Sequence, residues 1–270
     1  MPARARPAGR DLLVGLGRAF GGALIFGLPM LMTNELWQLG ASMSRLRLAL
    51  LLLVGVPLLV GVAHRIGFEQ SFGWREDLRD AGIALGVGLI AATLVLALFN
   101  LLPPAHSIDA IVGRITVQAV PAALGAMLAR SQFGGERTRE EREALSGYGG
   151  TLFMMVVGAV FLALNVAPTE EMVEIAYTMT AWHALGLVAL TVATMHAFVY
   201  GHGASDDDAP WWSLLLRYTL VGYALALAIS LYMLWTFGRI DGVGATPVLG
   251  SVLVLGFPAG LGAAAARLIL

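Results

Sequence analysis

Leu46-Arg-Leu-Ala-Leu-Leu-Leu-Leu-Val-Gly-Val-Pro-Leu-Leu-Val-Gly-Val-Ala-His-Arg-Ile66 is a run of 21 residues with no charge between Arg47 and His64. At about 1.5 Å per residue, a helix of that length crosses a hydrocarbon core of about 30 Å. A barrel strand would need only about 9–11 residues and would alternate in polarity, which this run does not. Seven further runs of the same kind lie on either side of it, so the full set reads 14–36, 46–66, 80–102, 108–130, 150–168, 178–200, 212–237 and 246–268. The expected fold is an all-α, polytopic membrane bundle of eight transmembrane helices.

Composition agrees. Of 270 residues, 58% are hydrophobic and only 13% are charged, with a mean hydropathy of +0.77. A water-soluble domain carries about 25% charged residues, so this chain could not cover an aqueous surface. The net charge of −1 points to no nucleic-acid partner. Cysteine is absent, and all 17 basic residues are arginine. Thiol catalysis, thiolate metal sites and Schiff-base chemistry on lysine are therefore excluded. Trp37, Trp74, Trp211 and Trp212 sit near segment ends, where aromatic rings favour the headgroup region.

The arginines set an orientation. With eight spans, Arg4, Arg6, Arg10, Arg18, Arg65, Arg75, Arg79, Arg130, Arg137, Arg139, Arg142, Arg217 and Arg267 fall on one side. Arg45, Arg47, Arg114 and Arg239 fall on the other. Cytoplasmic loops carry the excess of basic residues. Both termini are thus expected in the cytoplasm. The segment from Met1 to Met32 reads as a retained first helix, because its apolar run is longer than that of a secretory signal.

The chain also repeats itself. Pro121-Ala-Ala-Leu-Gly-Ala-Met-Leu-Ala-Arg130 matches Pro258-Ala-Gly-Leu-Gly-Ala-Ala-Ala-Ala-Arg267 at seven of ten positions. Trp74, Leu78, Arg79 and Phe99 fall on Trp212, Leu216, Arg217 and Phe237, and His64 falls on His202. Gly22, Ala23, Leu28, Thr33 and Glu35 fall on Gly158, Ala159, Leu164, Thr169 and Glu171. The offsets all lie between 136 and 138. Two four-helix repeats, 1–131 and 150–270, joined by a charged cytoplasmic linker over 132–149, account for this. An even number of spans per copy makes the copies parallel, related by a pseudo-two-fold along the membrane normal.

The candidate site residues follow from the repeat. Glu35 and Glu171 each close the first helix of a copy, and paired carboxylates at a pore mouth concentrate cations. Asn34 and Asn165 add polar groups nearby, while Pro29 and Pro168 loosen the helix there. The competing reading puts both glutamates beyond the helix ends, in outer loops. Asp109 and Asp241 each follow an Ile before the fourth and eighth segments; they are candidates for the same pathway, or simple helix N-caps. Arg114, inside the fourth segment, is expected to snorkel outward or to pair with Glu35 or Asp109. His183 and His196 lie 13 residues apart on the sixth segment, a spacing that suits two haems, but bis-His ligation needs a second such helix. Ser205-Asp-Asp-Asp208 before Pro210 reads as a helix cap. Gly82/Gly86 and Gly256/Gly260 permit close helix contacts, within one chain or in a homo-oligomer. No phosphate loop, nucleophile elbow or zinc-protease helix appears, so neither an enzyme nor a cofactor is expected.

Gly21-Gly-Ala-Leu-Ile-Phe-Gly-Leu-Pro-Met-Leu-Met-Thr-Asn-Glu-Leu-Trp37, with the length and span pattern, resembles a family of uncharacterised bacterial integral membrane proteins. The resemblance covers nearly the whole chain and implies localisation only, in a bacterial inner membrane. Two functions remain open. One is a cation channel or secondary transporter, with its pathway near the pseudo-two-fold. The other is a non-transporting membrane subunit or scaffold that binds a partner protein, haem or quinone.

Overall fold

The computed structural model describes residues 8–66, 74–103, 105–133, 147–201 and 210–268, and among them it is entirely helical. The helices are α1 (Ala8–Leu31), α2 (Asn34–Ser42), α3 (Arg45–Ile66), α4 (Trp74–Leu98), α5 (Ile108–Phe133), α6 (Tyr148–Val166), α7 (Glu170–Thr178), α8 (Ala181–Gly201), α9 (Trp211–Thr236) and α10 (Ala245–Leu268). Eight of them, all but the nine-residue α2 and α7, are long and apolar enough to cross a membrane. The expected bundle of eight spans is therefore present. Pro57, Pro121 and Pro258 sit inside α3, α5 and α10 without ending them, as membrane helices tolerate when neighbours re-satisfy the freed backbone.

Among the boundaries that differ from the sequence reading, two reshape the helix ends that carry charge. The first run does not continue to residue 36: α1 stops at Leu31, two residues past Pro29, and α2 starts at Asn34. The third span, α4, begins at Trp74 and not at residue 80, so Arg75 to Arg79 form its first turns instead of a loop. Charged residues at a helix start look like a loop when only hydropathy is read. The charged stretch Arg137–Glu143 and the Ser205–Asp208 run lie outside the described residues; Pro210 caps α9 directly before Trp211.

The chain divides into two compact units, residues 1–42 with 51–137, and residues 43–50 with 138–270. In the first unit α5 is the central element, packed against α1, α2 and α4. Ala119, Ala122, Ala123, Ala126 and Ala129 are fully enclosed there. Small residues let backbones approach, which is how helices gain packing energy in lipid. At Gly22, an added Cβ would press on the Gly125 carbonyl and the Ala129 side chain. At Gly113, it would strike the Gly40 carbonyl of α2.

In the second unit α10 packs against α6, α7, α8 and α9. Gly158 of α6 and Gly262 of α10 press their backbones together, and Gly250 lies against the Ala176 carbonyl of α7, 3.3 Å from an added Cβ. Gly256 and Gly260 are filled by Leu227, Met195 and Thr191 of the same unit, whereas Gly82 and Gly86 on α4 face open space. Trp74, Trp211 and Trp212 are exposed at helix starts, as expected of membrane-interface anchors. Trp37 instead folds back, its indole donating to the Leu31 carbonyl at 2.8 Å.

Candidate functional site

The buried face of α4 runs through Asp77, Asp80, Ala81, Ala84, Val87, Gly88 and Ala91. Two carboxylates thus open a stripe that is otherwise small and apolar, because positions three and four apart share one helix face. Asp77 is 5% exposed and Asp80 2%, and both lie within a membrane-spanning helix. Asp80 Oδ1 is 3.7 Å from the Arg79 guanidinium. Asp77 Oδ2 is 2.9 Å from His64 Nδ1, at the end of α3. Asp77 Oδ1 is buried with no hydrogen-bond partner among the described residues. An imidazole that is two-thirds exposed and a carboxylate sealed in the bundle therefore form one hydrogen-bonded pair.

The second unit also places a histidine against the helix that follows. His196 Nδ1 of α8 lies 3.1 Å from the Thr219 hydroxyl of α9, and its ring meets those of Tyr200 and Trp211. Thr219 belongs to a π-helical stretch, Leu215–Leu220, inside α9. Such a stretch takes carbonyls out of the regular ladder. The Tyr148 hydroxyl donates to the Arg217 carbonyl at 2.9 Å, and the Arg217 guanidinium lies 5.4 Å from the Tyr148 ring centre.

At the other helix ends the sequence candidates are spread out. Glu35 and Glu171 are each the second residue of a short helix, α2 and α7, past the last span residues Leu31 and Val166. Glu171 is exposed and Glu35 half-buried. Asn34 accepts a hydrogen bond from Gln38 at 3.3 Å, and Asn165 donates to the Phe161 carbonyl at 2.8 Å. Asp109 is exposed in the first turn of α5, but it is not the cap: the Ser107 hydroxyl accepts from the Ala110 amide at 3.2 Å. Asp241 is not a cap either. It lies in the turn between Gly238 and Gly242, whose φ angles are +70° and +69°, and is gripped by Arg47. The short α7 and the same turn border an open groove of about 620 Å³ lined by Glu170, Glu174, Tyr177 and Arg239.

Arg114 neither snorkels outward nor meets Glu35 or Asp109. It donates to the Leu101 carbonyl and reaches His106 Nδ1 at 3.0 Å. One turn further, buried Gln118 donates to the Met30 carbonyl at 3.1 Å. His183 bonds to the Thr180 hydroxyl at 2.8 Å, and His202 lies outside the described residues. Among the described residues, no three His, Asp or Glu side chains are arranged to hold a metal.

Residues 15–270 match the model of the family described as "Putative integral membrane protein (DUF2391)". The chain belongs to this family. No curated protein and no solved structure matches it. The family description agrees with the eight spans and with the resemblance read from Gly21–Trp37. In this DUF2391 chain, sequence reasoning passed over Asp77 and Asp80. The available signal was their three-residue spacing in phase with Ala84, Val87 and Ala91, which marks one helix face.

Proposed function

We propose that the chain carries a small cation across the membrane, as a channel or secondary transporter. The observation that carries this reading is the pair Asp77 and Asp80, buried in the first turns of a membrane-spanning helix. Ionisable groups inside a span are costly and are kept where they serve a path for charge. Carboxylates concentrate cations and replace part of their hydration. In this reading Glu35 and Glu171, with Asn34, Asn165 and Asp109, serve as polar groups at aqueous mouths. Asp241 is assigned to structure through its pair with Arg47. The arginine bias puts the His64–Asp77 end at the cytoplasmic face of an inner membrane.

The two units are read as copies of one ancestral bundle. The glycine contacts support this: Gly22 and Gly125 correspond to Gly158 and Gly262, and Gly40 and Gly113 to Ala176 and Gly250, at offsets of 136 or 137. The buried positions of α2, Leu36 and Gly40, likewise correspond to Met172 and Ala176 of α7. No specific observation favours a haem or quinone scaffold, since His183 and His196 each bond to a threonine.

The test is flux into proteoliposomes under K⁺, Na⁺, Ca²⁺ or H⁺ gradients. The native chain should pass one of these cations, and the Asp77→Asn/Asp80→Asn variant should fall to the level of empty vesicles. Equal flux in the variant would sink the mechanism.

A further inference from the structure

We propose that Asp77 is a proton-binding site and that His64 is the group through which its proton exchanges with water. The inference rests on the same carboxylate as the transport reading, but its test reads the proton and not the flux. Three observations carry it. The Asp77 side chain is 6% exposed and that of His64 67%, so one hydrogen bond of 2.9 Å links a sealed carboxylate to an imidazole that is open at the protein surface, at the last residue of the α3 span. Asp77 Oδ1 has no hydrogen-bond partner among the described residues. Asp77 sits beside a second buried carboxylate, Asp80, on the same face of α4.

A proton that reached Asp77 directly would have to cross the packed helix face. His64 removes that obstacle. Imidazole is the side chain that ordinarily changes charge near neutral pH, and its two nitrogens serve two surroundings at once. In the resting pair Nδ1–H donates to ionised Oδ2. A proton from water binds Nε2 while the Nδ1 proton passes to Oδ2. Asp77 is then neutral, and the imidazole is neutral with its proton on Nε2. One proton has entered and no other group has changed charge.

Among the described side chains, the other charged groups at this end are Arg75, Glu76, Arg79 and Asp80 on α4 itself and Arg18 on α1. Among the described side chains of α5, the ionisable ones are Asp109 and Arg114, at its opposite end.

The experiment is infrared difference spectroscopy of the full chain in nanodiscs, read at the carbonyl stretch of a protonated carboxylic acid during a downward pH jump. The native chain should gain such a band. Asp77→Asn should lack it, and Asp77→Glu, which keeps the carboxyl on a longer arm, should show it at a shifted frequency. His64→Ala should reach the same final band at least about tenfold more slowly, with the rate restored by free imidazole in the buffer. A band unmoved in both Asp77 variants, or an unchanged rate in His64→Ala, would overturn the proposal. A band that behaves as expected in a chain without flux would end the transport reading and leave this one standing. Flux that depends on Asp77, with a band that does not, would do the reverse.

Discussion

Arg47 and Asp241 meet through two parallel hydrogen bonds, Nη1 to Oδ2 at 2.6 Å and Nη2 to Oδ1 at 2.7 Å. The same guanidinium lies 5.3 Å from the centre of the Trp235 ring. The fork geometry of arginine makes this arrangement specific where lysine would offer only a point charge. It pins the first turn of α3 to the turn between α9 and α10, both within the second unit.

Removing either partner should weaken that turn modestly. The Asp241 side chain is 52% exposed, so screening by solvent limits the pair. A double-mutant cycle with Arg47→Ala and Asp241→Ala should give a coupling of about 0.5–1 kcal/mol. The readout is thermal unfolding in detergent, followed by circular dichroism. The hydrogen bonds from Arg47 hold the Asp241 carboxyl below its ordinary range; slight desolvation opposes them and the guanidinium charge adds to them. Because the folded value is lowered, the contribution is complete above the ordinary carboxylate value of about 3.9 and fades as pH falls through the lower folded value. The native chain should therefore lose its advantage over Asp241→Ala only in acid, and should keep it from pH 5 to 8.

The glycine crossings should tolerate no side chain. Gly125→Ala puts a Cβ 2.8 Å from the Gly22 carbonyl and 2.7 Å from Phe26 Cβ, with backbone on one side that cannot give way. A loss of about 1–3 kcal/mol is expected from such overpacking. Gly82→Ala is the control, since nothing lies within 4 Å of the added carbon. That change should be neutral, or stabilising by up to about 1 kcal/mol through helix propensity. Unfolding in mixed micelles with rising sodium dodecyl sulfate would separate the two.

The π-helical turn of α9 should depend on Tyr148. Its hydroxyl caps the Arg217 carbonyl, and its ring packs 5.4 Å from that of Tyr218. Tyr148→Phe keeps the ring contact and should cost about 1 kcal/mol, the net worth of one hydrogen bond. Tyr148→Ala should cost more and should speed amide hydrogen exchange over Leu215–Leu220.

Glu35 and Glu171 should influence the proposed flux from a distance. Charges in the aqueous phase act by raising local ion concentration, which salt screens. Glu35→Gln/Glu171→Gln should lower flux by up to about tenfold at low ionic strength and much less at 0.15 M. A loss independent of salt would instead mean direct ion coordination by these glutamates.

The spans were legible because hydropathy alone reports them. A lipid-facing helix needs no specific partner to declare itself, and Leu48–Ala63 reads the same in any arrangement. The break after Leu31 was not legible, because the run reads on to residue 36 through Pro29, which lies inside α1. The start of α4 was not legible, because Arg75-Glu-Asp-Leu-Arg-Asp80 has the composition of a loop. Only its phase with the small residues downstream marks it as the head of a buried face. Arg114 was misread for a related reason. Its nearest acceptors are the backbone carbonyl of Leu101 and the ring of His106, and composition does not report backbone acceptors.

By itself, then, the sequence determined how many helices cross the membrane and which residues are small enough to let them touch, since hydropathy and side-chain size are properties of each residue alone. The tertiary structure decided which charges face inward and what they meet. Asp77 against His64 and Arg114 against a carbonyl join residues inside the packing, while Asp241 meets Arg47 in an exposed turn. A buried charge is tolerated only in the company that packing supplies.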